Sequence, residues 1–182
     1  PPAQPMFHTA MSPVVDGNLV IVHIGGHDAG ALTAFDAATG AVRWIWNGDG
    51  PAYGSPLVFD LGGTRQVVTF TQNNFVGVSV TDGRLLWRRP YMTSAHTAAQ
   101  TPILYKDMLV ESGRGNGITA FRVTPGTGTW RTDDVWHTDA VSAHMSDAVA
   151  VDGVLVGGQS LDPAAFATIA AAGPLATSGR RP

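Results

Sequence analysis

Pro13 and Pro56, Gly40 and Gly83, and Trp44 and Trp87 are each separated by 43 residues. Three coincident spacings mark a tandem repeat, and a period between about 20 and 50 residues decides the fold before any local reading does. The first unit runs Ser12-Pro13-Val14-Val15, Asp16-Gly17-Asn18, Leu19-Val20-Ile21-Val22, a Gly/His loop, Ala31-Leu32-Thr33-Ala34-Phe35-Asp36, Ala38-Thr39-Gly40 and Val42-Arg43-Trp44. The second answers with Ser55-Pro56-Leu57-Val58, a Gly62-Gly63 turn, Gln66-Val67-Val68-Thr69-Phe70, Val76-Gly77-Val78-Ser79, Thr81-Asp82-Gly83 and Leu85-Leu86-Trp87. The third begins Thr101-Pro102-Ile103-Leu104 and carries Met108-Leu109-Val110, then Ile118-Thr119-Ala120-Phe121. Two tryptophans compete for its last position. Trp130 keeps the 43-residue step from Trp87, whereas Trp136 better fits the distance to the next unit; an insertion around Pro125-Gly126 leaves both open, and Trp136 is preferred. A fourth unit starts at Ser146-Asp147-Ala148-Val149, with Asp147 where the others have Pro, and loses the pattern after Gly157.

Each unit contains four short runs rich in Val, Ile, Leu, Thr and aromatic residues, separated by Asp-Gly, Thr-Gly or Gly-Gly turn signals. This is the pattern of a four-stranded antiparallel meander. A single such sheet leaves both faces wet, and packing sheets radially covers them. The expected fold is therefore all-β, a propeller of four-stranded antiparallel blades forming an incomplete wheel of about 3.5–4 blades. A parallel α/β fold would need amphipathic helices between strands, and none is visible before the tail. The expected divisions are a leading segment 1–11, read as an outer strand of a preceding blade, then blades at 12–54, 55–100 and 101–145, a partial blade at 146–160 and an irregular or disordered tail at 161–182. The chain opens without Met, a basic segment or an apolar leader, so no signal peptide is visible and its start is read as lost.

With 44% apolar and 14% charged residues among 182, the chain has the composition of a globular protein. A formal net charge of -3 supplies no basic stripe, so no nucleic-acid partner is expected. Its apolar runs are a few residues long, far short of a membrane span. It has no cysteine, which excludes disulfides and thiolate metal sites.

The stretch Gly30-Ala31-Leu32-Thr33-Ala34-Phe35-Asp36-Ala37-Ala38-Thr39-Gly40-Ala41-Val42-Arg43-Trp44 closely resembles the tryptophan-docking motif of the pyrroloquinoline-quinone-like (quinoprotein-like) propeller repeat. The resemblance covers Met11 to Val156 and weakens along the chain. Unit two has Ser79 for the Asp and Asp82 for the Thr, and unit three has Arg122 for the Asp. The resemblance implies blade-docking roles for Asp36, Thr39, Gly40, Trp44, Gly83, Trp87 and Trp136, and a full ring of about eight blades, with the remaining blades as partners. The mechanics are reasonable: Gly40 tolerates φ > 0, Asp36 and Thr39 can bond turn amides, and an indole N–H can be satisfied on the next blade.

Antiparallel connectivity places the second-to-third-strand loops and the blade-to-blade linkers on one face. These loops hold His23, His27, Asp28, Gln72, Asn73, Asn74, Arg114 and Asn116, and the linkers hold Asp49, Tyr53, His96 and His144. Function in propellers gathers on such loops, so these are the candidate ligand-face residues for a protein or small-molecule partner. His23-Ile24-Gly25-Gly26-His27-Asp28 could supply metal ligands, but the Gly-Gly spacing fixes no geometry, so no metal is expected. Ser112-Gly113-Arg114-Gly115-Asn116-Gly117 lacks the Lys-Ser/Thr of a phosphate loop and reads as a glycine-rich hairpin. No catalytic triad or carboxylate pair is identifiable.

Three functions fit the resemblance, the weakest being the sensor module of a membrane kinase. One is a non-catalytic binding scaffold, periplasmic or extracellular. The alternative is a fragment of a dehydrogenase using pyrroloquinoline quinone with calcium. Alcohol-oxidising members carry a vicinal Cys-Cys beside the quinone, and this chain has none; Glu111 is its only glutamate and occupies a strand. The scaffold is the favoured reading.

Overall fold

A computed structural model of the chain describes residues 5–143, 147, 149–151 and 154–156. Three four-stranded antiparallel sheets follow one another in chain order. The first contains β1 (Val14–Asp16), β2 (Leu19–Ile24), β3 (Ala31–Asp36) and β4 (Val42–Trp46); the second β5 (Leu57–Leu61), β6 (Thr64–Phe70), β7 (Asn74–Ser79) and β8 (Leu85–Pro90). The third contains β9 (Ile103–Tyr105), β10 (Met108–Ser112), β11 (Ile118–Pro125) and β12 (Trp130–Thr138), and β13 (Val149–Val151) with β14 (Val154–Val156) forms a two-stranded sheet. In all three full sheets the strands are neighbours in sequence order, the meander that alternating apolar runs and tight turns dictate. Residues 5–13 form no strand; Phe7 sets its ring edge-on to Tyr53 at 5.6 Å. His144, the tail at 161–182 and most of the fourth unit lie outside the described residues.

A β-bulge recurs between the third and fourth strands at Ala34/Phe35, Gly77/Val78 and Ala120/Phe121. The residue before each bulge pairs with Trp44, Trp87 and Trp136 respectively, so Trp136 occupies the register position of the other two while Trp130 pairs with Pro125 near the hairpin tip. Small residues face these indoles for a steric reason. A Cβ on Gly77 would come within 2.1 Å of Trp87 Nε1.

Alternation along the strands gives each sheet two apolar faces. Ile21, Leu32, Ala34, Trp44 and Trp46 of the first sheet pack with Val67, Val76 and Val78 of the second. The opposite face of the second sheet, with Val68, Phe70, Phe75 and Trp87, packs with Leu109, Phe121 and Val123 of the third. Phe70 and Phe75 stack at 4.0 Å, and Phe121 meets Phe75 and Trp87 edge-on at 5.7 and 5.9 Å. Burying aromatic side chains of this size contributes about 2–3 kcal/mol each, so these seams hold the sheets together. The other face of the first sheet carries Val15, Val42 and Ile45, more than half exposed at 65%, 52% and 58%.

Polar contacts reinforce the seams. Arg89 on β8 bonds Glu111 on β10 at 3.0 Å and Asp134 on β12 at 2.8 Å, and its guanidinium lies 4.2 Å from the Phe121 ring centroid. Burial pushes the Glu111 carboxyl up despite this partner. Nearer the unit starts, Ser12 N–H donates to Ser55 Oγ at 2.9 Å. Asp147, which stands where other units have Pro, accepts from Thr101 N–H at 2.6 Å and Thr101 Oγ1 at 3.0 Å.

Candidate functional site

Asp36 closes the β3–β4 turn of the first sheet. Its Oδ1 accepts from Ala38 N–H, Thr39 N–H and Thr39 Oγ1 at 3.1, 2.9 and 2.8 Å, and Gly40 N–H returns to the Asp36 carbonyl at 2.8 Å. The Thr39 hydroxyl and the turn amides hold this carboxyl below its usual range. The turn needs a left-handed residue, and Gly40 supplies it at φ +73°. In the second sheet Gly83 adopts the same conformation at φ +72°, and the Trp44 ring lies against it: a Cβ there would sit 2.7 Å from Trp44 Cε3. Trp44 Nε1–H donates to the Val80 carbonyl of the same turn at 2.8 Å. Trp87 differs. Its N–H stays within its own sheet, donating to Gln66 Oε1 at 2.7 Å, and Gln66 Nε2 donates onward to Leu61 O at 3.2 Å.

At the other end of the sheets, the β2–β3 loop, the β6–β7 turn and the linkers 47–56 and 91–102 converge. Their hub is Asp49. Its carboxylate accepts from Thr71 Oγ1 (2.6 Å), Asn74 Nδ2 (2.6 Å), Asn73 N–H (3.0 Å), Asn73 Nδ2 (3.0 Å) and its neighbour Gly50 N–H (3.0 Å). Half-burial alone would raise this carboxyl, but the donors from Thr71, Asn74 and Asn73 outweigh it and hold the group below its usual range. The Asp49 backbone carbonyl accepts from fully buried His23 Nε2 at 3.0 Å, which places that ring's proton on Nε2. Among the described residues His23 Nδ1 is buried without a partner, and burial lowers the imidazole pKa to about 4, so the ring is neutral at pH 7.

Asp28 and Gln72 exchange two bonds, Asp28 N–H to Gln72 Oε1 at 2.8 Å and Gln72 Nε2 to Asp28 Oδ1 at 2.9 Å, tying the first sheet's loop to the second sheet's turn. The Gln72 carbonyl accepts from His96 Nδ1 at 3.1 Å, and the His96 ring meets His27 edge-on at 5.4 Å. Burial and the neighbouring His96 lower the His27 pKa. His23, His27, Asp28, Gln72, Asn73 and Asn74 thus come together in one network with Asp49 and His96, and Thr71 is a member that sequence reading did not single out. Asn116 lies on the third sheet's loop and bonds Met92 O at 2.9 Å; Arg114 beside it is exposed. An open cavity of about 440 Å³ runs along the network, bounded by residues 28–31 and 47–50.

Calcium takes six to eight oxygen ligands. The Asp49 carboxylate already accepts five donors, and among the described residues no group of three or more His, Cys, Asp and Glu side chains converges on a point. These described residues do not fit a quinone–calcium centre.

A family model described as outer membrane protein assembly factor BamB matches residues 61–168, more than half of the chain. The chain belongs to this family. The match continues past Gly157, where the repeat's sequence motifs are lost, and assigns the repeat as pyrroloquinoline-quinone-like. No curated protein matches. Among solved structures, BamB from Moraxella catarrhalis superposes with a TM-score of 0.51 at 20% identity, over 80% of this chain and 42% of that one. At that identity the likeness shows the propeller fold, and the chain spans less than half the length of this BamB. None of the described helices is long and apolar enough to cross a membrane.

Proposed function

We propose that this chain is part of a BamB-like propeller that acts in the periplasm as a non-catalytic scaffold for outer membrane protein assembly, binding protein partners on its loop-rich face. The observation that carries this reading is the state of the polar side chains there. Asp49, Asn73, Asn74, Gln72 and Asp28 bond one another, so the network stiffens loops rather than presenting free acids, bases or nucleophiles. A rigid loop surface on a stacked-sheet scaffold suits recognition of another protein. The BamB family match points to the process in which such binding would serve.

The test is complementation. The protein is expressed in the periplasm of a bacterium lacking its own BamB, and the level of folded β-barrel protein in the outer membrane is measured. Restoration is the expected result. Failure to restore while the protein accumulates folded in the periplasm overturns the reading, as does saturable binding of pyrroloquinoline quinone with calcium-dependent alcohol oxidation.

A further inference from the structure

The β7–β8 and β11–β12 turns lie at the opposite end of the sheets from the loop-rich face. There an open groove of about 630 Å³ runs between β8 and the β11–β12 hairpin, with residues 84–88 along one wall and Gly126, Gly128 and Trp130 along the other. The groove exists because the third sheet's hairpin is long: β11 and β12 have eight and nine residues, against six and five for β3 and β4. Its tip reaches across to the second sheet. A Cβ at Gly62 in the β5–β6 turn would sit 2.6 Å from Pro125 Cδ and 3.0 Å from Trp130 Cζ3.

β8 is the outermost strand of its sheet, so one side of its backbone is unpaired. Tyr91 N–H bonds Asn73 O across the β7 side at 2.8 Å, and strand alternation therefore turns the Arg88 N–H and C=O away from β7, toward the free edge. Arg84 and Arg88 are exposed, and neither forms a salt bridge among the described residues. Asp82 bonds Ser79 and the Arg84 N–H of its own turn and also feels the Arg84 charge, while Asp134 is engaged with Arg89 and Asp133 with Arg131. The groove thus combines an open strand edge, a cation on the strand itself at Arg88, a second at Arg84 ahead of the Gly77/Val78 bulge, and an aromatic wall at Trp130.

We propose that this groove takes an extended acidic segment of a partner protein, added as a strand on the free edge of β8, with carboxylates facing Arg84 and Arg88 and an apolar side chain resting on Trp130. Backbone bonds to the edge supply affinity, and the two arginines select for charge. The groove is separate from the loop-rich face, and the inference holds whether or not that face binds the partner proposed above.

Synthetic peptides of about ten residues, long enough to match one strand, alternating Val with Glu or Val with Lys, are titrated against the whole chain by fluorescence anisotropy. The expected result is saturable, salt-sensitive binding of the acidic peptide alone, with slowed hydrogen exchange at the Arg88 amide. Arg84→Glu with Arg88→Glu, at two exposed positions, should weaken it by roughly tenfold or more. Arg88→Pro removes the outward N–H together with the guanidinium, and should weaken binding more than Arg88→Ala does without shifting the unfolding midpoint. Equal binding of both peptides, binding of neither, or protection on strands other than β8 overturns the proposal. So does concentration-dependent protection of Arg88 without peptide, which would assign the edge to a second copy of this chain.

Discussion

The Trp44 indole lies flat against Gly83, a residue in the β7–β8 turn of the neighbouring sheet, while its N–H donates to Val80 O in the same turn at 2.8 Å. Gly40 adopts the same backbone conformation as Gly83, at φ +73° against +72°, yet nothing lies within 4 Å of the position its Cβ would occupy. The two glycines therefore separate backbone strain from docking. Gly40→Ala should cost about 1 kcal/mol, the left-handed penalty alone. Gly83→Ala carries the same penalty and also displaces the indole, so its cost should reach about 3 kcal/mol. Urea unfolding of both variants checks this; equal costs would show that the indole contact contributes nothing.

Trp44→Phe keeps an aromatic ring in the seam but leaves the Val80 carbonyl without its donor. A loss of about 1–2 kcal/mol is expected. Trp87→Phe should cost a similar amount for a different reason, because it strands Gln66 Oε1 inside the second sheet. Double-mutant cycles should couple Trp87 to Gln66, and should show no coupling of Trp44 to Gln66.

Asp49→Ala removes the common acceptor of Thr71, Asn73 and Asn74. With several donors orphaned in a half-buried site, a loss of about 2–4 kcal/mol is expected. Amide exchange should quicken in the β6–β7 turn before it does in β10 and β11. Uniform quickening would show that the network is not a local clamp.

Acid should loosen the fold through His23. Its folded pKa of about 4 lies below the ordinary 6.5, so the unfolded chain binds the proton more readily between those values. Stability should be complete above pH 6.5 and fall by roughly 3 kcal/mol as the pH drops to 4. Below that, Asp36 and Asp49, both held under their usual range, add further loss. His23→Phe places at this position the residue type found at its register counterpart, Phe70, and should flatten the curve between pH 6.5 and 4. An unchanged slope would exclude His23 as the source.

Ion pairs at the seams should differ in weight. Glu111→Ala leaves Arg89 without its buried partner and should cost about 3 kcal/mol, whereas Asp60→Ala, at an exposed pair with Arg65, should cost less than about 1 kcal/mol. Thermal melts of the two variants give the comparison.

The propeller architecture was legible because a 43-residue punctuation survives strand by strand: turn glycines and fourth-strand tryptophans need fixed chemistry wherever a sheet folds back. Trp136 could be preferred over Trp130 from spacing alone, but only the bulge register shows why, since the insertion at Pro125-Gly126 lengthens the hairpin without moving the indole. The loop cluster was legible as a set of residue types on one face. Its wiring was not. Asp49 reaches Thr71, Asn73 and Asn74 over 22 to 25 positions, and such contacts depend on how two sheets are turned against each other. Gln66 escaped notice for a related reason: in a strand it reads as a polar edge residue, and its burial follows from the indole beside it.

The bare surface over Gly40 gives the stack a direction. Between the first and second sheets the indole comes from the sheet nearer the N-terminus and its landing place from the following one. A body seated on Val15, Val42 and Ile45 in the manner of the first seam would present a tryptophan to Gly40. Assembly at that end is keyed, and an outer strand ending in leucine or phenylalanine could cover the grease yet leave the Ala37 carbonyl, counterpart of Val80, without a donor.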